Sequence, residues 1–362
     1  MRVNEAQSAI RSRGSEGFAQ LVESLVRKDS NGKRKMEPGE FSIKAMHDAF
    51  VQEKGGVLLD GDLIERIAES ISSTAFAKAT GALINQMVID GYGIQGLIGD
   101  QLVTTIPSRL KTETIVGINA LDTPEIVPEG SPYPDSSTAE KYVTIPNVKR
   151  GRIITLTEET ILFDQTGQIL NRAFRLGEKT ALEREKLIVR ACVELDSNIY
   201  RPSGSAATLY DNSTNSNLAA SSGFGTSALN TVVNKLREFT DENSDPIIVP
   251  FPWQLLVPSE LMPNAESMFG AEHDPDTAEN ELNVHRGKYQ PLTSPFLTSS
   301  TDWWLGNFKR QFVYTEIWPI QTMSRPAGTD ADFEKDIRYA HKVRMYGGVG
   351  AVDTKYVVEA NA

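Results

Sequence analysis

One cysteine, Cys192, is the whole thiol complement of the 362 residues. No intrachain disulfide framework can form, and no zinc site built on thiolates is possible. A single cysteine fits a chain made and folded in a reducing cytoplasm. Long apolar runs are missing as well: none reaches the about 18 residues that a membrane-spanning helix needs, so no membrane span is expected. The segment Met1 to Ile10 is polar and charged and lacks the apolar stretch of a secretory leader. Basic residues are outnumbered, 37 against 48 acidic, for a formal net charge of −11. A free nucleic-acid binder would carry a basic patch or stripe over the whole domain. The N-terminal segment is locally richer in cations, at Arg11, Arg13, Arg27, Lys28, Lys33, Arg34 and Lys35; the plain reading of that cluster is a solvated, mobile arm.

The signatures of catalysis are scarce in the same way. The four histidines, His47, His273, His285 and His341, form no close pair at metal-ligand spacing, and no H-E-x-x-H occurs. There is no G-x-S-x-G elbow and no phosphate-cradling G-x-x-x-x-G-K-[ST]. Gly91, Gly93 and Gly96 do spell G-x-G-x-x-G after a strand-like run. A dinucleotide site would need a crossover helix and a second strand after it, and Thr104, Thr105 and Pro107 interrupt first, so a flexible bend is the reading. Cys192 falls on an apolar helical stripe and reads as a buried structural thiol. His341 lies in an alternating strand and reads as a surface or interface histidine. Glu158 and Glu159 stand before a helix start, where negative charge complements the helix dipole. The chain is therefore not expected to be an enzyme, and no metal or cofactor is expected.

What is present is an ordinary globular composition, 40% hydrophobic and 23% charged, long enough for one large or two moderate domains. Phe18, Leu21, Val22, Leu25 and Val26 recur at helical spacing and predict a short amphipathic helix that needs a neighbour to dock on. Leu63, Ile64, Ile67, Ala68, Ile71 and Ala75 predict a second helix over Asp62 to Phe76, with Asp60 or Asp62 as its cap. Leu83 to Asp90 reads as a strand. From 108 to 160 the pattern turns to β, and the stretch Thr123 to Thr138 between the runs carries Pro124, Pro128, Gly130, Pro132 and Pro134. A Pro-rich tip between β-rich arms is a long projecting hairpin, which cannot bury both faces by itself and needs another body beneath it.

Residues 164 to 200 carry the longest helical stripe, from Ile169 through Leu195, with Asp164 as a candidate cap and Gly177 as a weak point or kink. Residues 201 to 225 read as a linker or surface loop. An α/β-type region follows: helices at Ala228 to Phe239 and at Ser259 to Phe269 (capped by Ser259), and strands at Ile247 to Val249, Gln254 to Val257, Asp302 to Leu305 and Gln311 to Pro319. The end, Ile337 to Val358, is mainly β with a break at Gly347 and Gly348. No internal repeat is present. The class is α+β.

Several stretches, taken in order, resemble the HK97-type major capsid proteins of tailed bacteriophages. Ile106-Pro-Ser-Arg-Leu-Lys-Thr-Glu-Thr-Ile115 resembles the approach to that family's extended E-loop. Glu129-Gly-Ser-Pro-Tyr-Pro134 and Glu140-Lys-Tyr-Val143 resemble the tip and return strand. Lys149-Arg-Gly-Arg-Ile-Ile154, Leu156-Thr-Glu-Glu159 and Phe163-Asp-Gln-Thr-Gly167 resemble the junction into the spine helix of the peripheral (P) domain. Pro246-Ile-Ile-Val-Pro250 and Leu255-Leu-Val-Pro258 resemble the axial (A) domain, while Trp304-Leu-Gly306, Asp336-Ile-Arg338 and Gly347-Gly-Val-Gly-Ala-Val-Asp353 resemble the closing segments. The likeness spans about residues 40 to 362.

The resemblance implies an HK97-like capsid fold in five segments: 1–106, N-terminal arm and approach to the P domain; 107–163, E-loop hairpin; 164–204, spine helix; 205–310, A domain; 311–362, closing P-domain strands and return to the A domain. It implies a homo-oligomer of hexamers and pentamers enclosing packaged double-stranded DNA, assembled in the host bacterial cytoplasm and resident in the virion. Portal, scaffold and decoration proteins are the further partners it implies. Intersubunit contacts are expected at Glu125, Glu129, Pro132, Tyr133, Pro134, Asp135, Lys141, Lys149 and Arg150, and the cations of the arm, Arg11 to Lys35, are expected on the inner face. Some relatives weld the shell through a lysine–asparagine bond; Lys141 and Asn361 are present, but no partner carboxylate aligns and no crosslink is expected. An encapsulin-like nanocompartment shares the fold and is the first alternative. A soluble α+β enzyme with an unrecognised site is the second.

Overall fold

The computed structural model describes residues 3–28, 32–46, 74–118, 126–133, 135, 140–157, 159–160, 163, 166–194, 207–241, 244–273, 282–325 and 337–361. In chain order its elements are α1 (Val3–Val26), α2 (Thr74–Tyr92), β1 (Thr104–Pro107), β2 (Thr112–Ile118), β3 (Glu140–Pro146), β4 (Val148–Thr157), α3 (Thr166–Cys192), β5 (Leu218–Ala219), α4 (Thr226–Arg237), β6 (Gln254–Leu256), α5 (Met262–Gly270), β7 (Pro291–Leu292), β8 (Trp303–Gly306), β9 (Phe312–Arg325), β10 (Ile337–Ala351) and β11 (Val357–Ala360). The chain divides into two compact units: residues 1–95, 149–183 and 318–345, and residues 96–148, 184–317 and 346–362. One sheet has the order β1-β9-β10-β4, with β4 at an edge; β9 and β10 run through both units.

In the first unit, Phe18, Val22 and Val26 recur every four residues along α1 and are buried, as a single apolar stripe dictates. They join Ala79, Leu83, Ile84 and Val88 of α2, Ile169, Leu170 and Ala173 of α3, and Tyr339 and Val343 of β10 in one core. The helix expected near the N-terminus therefore forms and finds its neighbour in α2 of the same chain. Leu83 to Asp90, expected as a strand, is helical within α2; its buried positions Ala79, Leu83 and Val88, with Thr80 and Ile84 beside them, follow the helical period. The eight residues taken alone were too short a window to show it. The helix expected over Asp62 to Phe76 lies outside the described residues except for Thr74 to Phe76, which open α2, and the Asp164 cap lies outside them too.

Gly177 does not act as a weak point. A Cβ on Gly177 would lie 2.1 Å from the Val88 carbonyl oxygen, and one on Gly91 would lie 2.0 Å from the Phe174 carbonyl oxygen. The two glycines let α2 and α3 touch backbone to backbone. Gly91, read as part of a bend, is thus a packing residue in the last turn of α2.

The second unit holds a sheet of order β5-β11-β8-β6-β7. The β8 residues Trp303 and Leu305, the β11 residues Val358 and Ala360, and Leu255 of β6 are buried with Leu229, Val232, Val233 and Leu236 of α4 and Ala265, Met268 and Phe269 of α5. The α4 set sits at i, i+3, i+4 and i+7, the face a helix lays on a sheet. The helix expected to start at Ser259 starts at Met262, with Leu261 at the N-cap and no side-chain cap. Ile247 to Val249, expected as a strand, belongs to no helix or strand and follows the isolated bridge Thr240–Pro246.

Residues 207–225, read as part of a linker or surface loop, are mostly without helix or strand and are held in place: buried Asn217 donates to the carbonyls of Leu209 at 3.0 Å and Thr354 at 2.9 Å, and Leu218–Ala219 pairs with β11. The expected break at Gly347 and Gly348 is instead the middle of β10, where a Cβ on Gly347 would lie 2.6 Å from the Thr315 carbonyl oxygen; the glycines admit close crossing chain. Cys192 is fully buried, and burial, with Glu185 nearby, pushes its thiol well above the usual range, as a structural thiol requires.

Candidate assembly surfaces

The hairpin is built from β2 and β3, paired antiparallel from Thr112–Pro146 to Ile118–Glu140. The register sorts its side chains by face. One face carries Ile115 opposite Val143 and Glu113 opposite Ile145. Val143 and Ile145 are buried, 1% and 0% exposed. Asn147 fastens the root: its side chain donates to the Leu110 carbonyl at 2.9 Å and accepts from the Thr315 hydroxyl at 2.7 Å. The expectation that the whole hairpin lacks a home in its own chain is thus corrected for its root, where one face is satisfied within the chain. β4, the third β-rich run of 108 to 160, pairs in the sheet with β10 and does not prolong the hairpin.

The opposite face stays bare. Val116 stands directly across from Tyr142, and each is 53% exposed. Nearer the end, Ile126 is 98% and Tyr133 84% exposed, with Glu129, Pro132 and Asp135 also exposed. Glu125 and Pro134 lie outside the described residues, as does the side chain of Lys141. A monomer gains nothing by presenting apolar side chains of this size to water on one hairpin.

A second surface runs along the edge strand β4. Lys149 and Arg152 are exposed there, and Arg150, half-buried, approaches Glu183 at 3.7 Å. A groove of about 310 Å³ is lined by Lys149, Arg150, Gly151, Arg152, Ile153, Lys342 and Arg344. It shares Arg150, Gly151 and Arg152 with a neighbouring hollow of about 570 Å³, floored by Leu176, Thr180 and Met345 and flanked by Lys179. The Arg344 guanidinium is fixed over the Trp318 ring, 4.0 Å from its centroid, and donates to Gln321 at 3.2 Å. Sequence reading marked Lys149 and Arg150 but missed Arg152, Lys342, Arg344 and Lys179. Lys342 and Arg344 reach the site only because β10 lies beside β4.

The cations of the arm have a different fate. Lys28 pairs with Asp90 at 3.0 Å, and Arg34 binds both Asp90 and, at 3.0 Å, Glu37. Burial opposes ionisation of Asp90, but the hydrogen bonds from Arg34 and Lys28 outweigh it and hold the carboxyl below its ordinary range. Arg34 is 7% exposed, so it clamps the chain after α1 to α2 rather than standing in a mobile arm. Arg27, Lys33 and Lys35 are exposed, while the side chains of Arg11 and Arg13 lie outside the described set. His341 is not a surface histidine: it is 1% exposed, its Nδ1 lies 2.9 Å from the Ser324 hydroxyl, and burial lowers its pKa to about 4. Among the described residues, no group of three or more His, Cys, Asp or Glu could hold a metal ion, and no helix is long and apolar enough to cross a membrane.

An α+β chain with a half-bare hairpin, a long helix beside a mixed sheet and a separate helix-covered sheet is built as an HK97-like subunit. Solved capsid structures are similar to it. The capsid of a native GTA particle superposes with a TM-score of 0.50 at 10% identity, over 74% of this chain and 89% of that one. Mycobacterium phage Cain gives 0.47 at 14% identity, over 74% and 90%. The capsid of cyanophage P-SCSP1u gives 0.47 at 13%, over 72% and 86%. No curated protein sequence matches. The profile of the phage capsid protein family matches residues 141–360; the chain belongs to that family. It is a structural capsid protein and not an enzyme, and the match does not favour the nanocompartment alternative.

Proposed function

We propose that the protein tiles an icosahedral phage head as hexamers and pentamers, assembled in the host cytoplasm around a space that receives double-stranded DNA. The observation that carries this reading is the exposed apolar surface of the hairpin, Val116 and Tyr142 with Ile126 and Tyr133 beyond them. Full burial of a side chain such as Val116 or Ile126 is worth about 1.5–3 kcal/mol, and a second copy is the surface a shell protein always has at hand. In this scheme Glu125, Glu129, Pro132, Tyr133, Pro134, Asp135, Lys141, Lys149 and Arg150 are the intersubunit set. Arg11, Arg13, Arg27, Lys28, Lys33, Arg34 and Lys35 are the arm cations of the inner face, Lys28 and Arg34 among them being paired with Asp90. The five segments from arm to closing strands keep the boundaries given above, and portal, scaffold and decoration proteins would complete the head.

Negative-stain microscopy and sedimentation of the expressed chain test the proposal. Closed particles of megadalton mass are expected, and a Val116→Asp/Tyr142→Asp variant should melt like the wild type yet stay unassembled. A wild-type chain that remains a roughly 40 kDa monomer or a dimer at micromolar concentration sinks the reading.

A further inference from the structure

Most of the residues lining the β4 groove are cationic: Lys149, Arg150, Arg152, Lys342 and Arg344. The groove lies wholly within the first unit, in a chain whose net charge is −11, so overall composition does not account for it. A glycine brings the cations together. A Cβ on Gly151 would lie 2.5 Å from the Val343 carbonyl oxygen and 3.1 Å from the Arg344 Cβ; without one, β4 closes on β10 and sets Arg150 and Arg152 beside Arg344. Neutralisation is incomplete. Arg150 approaches Glu183 at 3.7 Å, whereas Lys149, Arg152, Lys342 and Arg344 make no ion pair among the described residues. Arg344 is also held in place: its guanidinium lies over Trp318 and donates to Gln321, and its Nε is buried with no partner. Like charges gathered so closely repel, and a groove lined by one sign draws counter-ions to it.

We propose that the β4 groove is a binding site for a compact polyphosphate anion, held by Arg152, Lys342 and Arg344 with Lys149 adding charge. Guanidinium groups offer paired N–H donors matched to two phosphate oxygens, and lysine supplies a point charge. A single phosphate group carries only about −1.5 to −2 at pH 7, too little to balance the four unpaired cations; two or three linked groups balance them. Duplex DNA is the poorer occupant. It runs on past the groove, where the acidic remainder of the chain repels it, while a compact anion stays within a screening length of about 8 Å from the cations. The adjoining hollow of about 570 Å³, floored by Leu176 and Met345, has room for the less polar body of a nucleotide. The polyphosphate is therefore either inorganic or the tail of a nucleotide, and separate probes tell these apart.

Titration calorimetry of the full chain with inorganic triphosphate, at a fixed ionic strength of about 0.15 M, tests the site whether or not the chain assembles. Saturable binding is expected. Arg152→Gln/Lys342→Gln should weaken it about tenfold or more, as the loss of two charge-assisted contacts implies. Lys44→Gln/Lys288→Gln, which removes the same charge at exposed positions outside the groove, should leave it unchanged. Lys342→Gln alone should give a smaller loss, and it keeps the site exposed to refutation if the double variant fails to fold. ATP binding more tightly than triphosphate, with the same dependence on Arg152 and Lys342, upholds the site and makes the ligand a nucleotide; equal or weaker binding of ATP upholds it as a site for the inorganic anion. Absence of saturable binding by the wild type, undiminished binding by the groove variants, or an equal loss in the Lys44/Lys288 control overturns the proposal. A short DNA duplex that displaces triphosphate and needs the same two cations overturns the choice of a compact ligand. Failure of the chain to assemble bears on the shell reading alone.

Discussion

Two titratable side chains are set against their ordinary ionisation by burial alone or nearly so, and their signs differ. Glu359 sits in β11, where desolvation first, then Asp302 and Glu194, push its carboxyl up from 4.5 to about 7. Between those values the folded chain keeps a proton that the unfolded chain releases. The resulting stabilisation is complete below pH 4.5 and is lost as pH rises through 7. Glu359→Gln holds the neutral form at every pH. Its melting temperature should match the wild type at pH 4.5 and exceed it above pH 7 by roughly 3 °C or more, measured by calorimetry across that range. An equal offset at both ends would show that shape, and not charge, sets the difference. His341 has the opposite sign: burial lowers its pKa from 6.5 to about 4, so the folded state loses stability as pH falls from 6.5 toward 4.

Among elements, the crossing of α2 and α3 is the contact with least tolerance. Alanine in place of a mid-helix glycine is favoured by about 1 kcal/mol of helix propensity. At Gly177 the new Cβ would meet the Val88 carbonyl oxygen at 2.1 Å, and backbone cannot swing aside as a side chain can, so overpacking of about 1–3 kcal/mol or more should win. Gly177→Ala is expected to lower the urea midpoint, while Gly167→Ala, in the open first turn of α3 with no atom within 4 Å, should leave or raise it. Equal midpoints for the two variants would refute the close crossing. The α3 helix itself was legible, because twenty-seven residues give a stripe enough turns to declare its period. The strand reading of Leu83 to Asp90 failed because eight mostly apolar residues satisfy either period. Glu185, a charged residue within that helix, is buried; it accepts from the backbone N–H groups of Ile98 at 2.9 Å and Gly99 at 2.7 Å, a pairing some 87 residues away along the chain that no local pattern announces. The hairpin and its bare tip were legible from proline and β-rich runs. The groove was only half so: Lys149-Arg-Gly-Arg152 is a visible run, whereas Lys342 and Arg344 belong to it solely through the alignment of β10 with β4.

At the scale of the whole molecule, a net charge of −11 must be brought together many times over to make a shell, and distance decides how that repulsion competes with contact. At about 0.01 M salt the screening length is near 30 Å, so each copy feels the full charge of its neighbours; at about 0.15 M it is near 8 Å, and only groups at the interface still interact. Apolar side chains such as Val116, Ile126 and Tyr133 are indifferent to this screening, and charges in direct contact across an interface lie well inside the shorter length. Raising salt from about 0.01 to 0.15 M should therefore remove repulsion faster than it removes attraction, and the concentration needed for assembly should fall. Static light scattering on a salt series reads this directly. A critical concentration that instead climbs steadily from the lowest salt would mean that interfacial ion pairs outweigh both the apolar contacts and the global charge, and would move the weight of assembly from the hairpin's bare face to its acids.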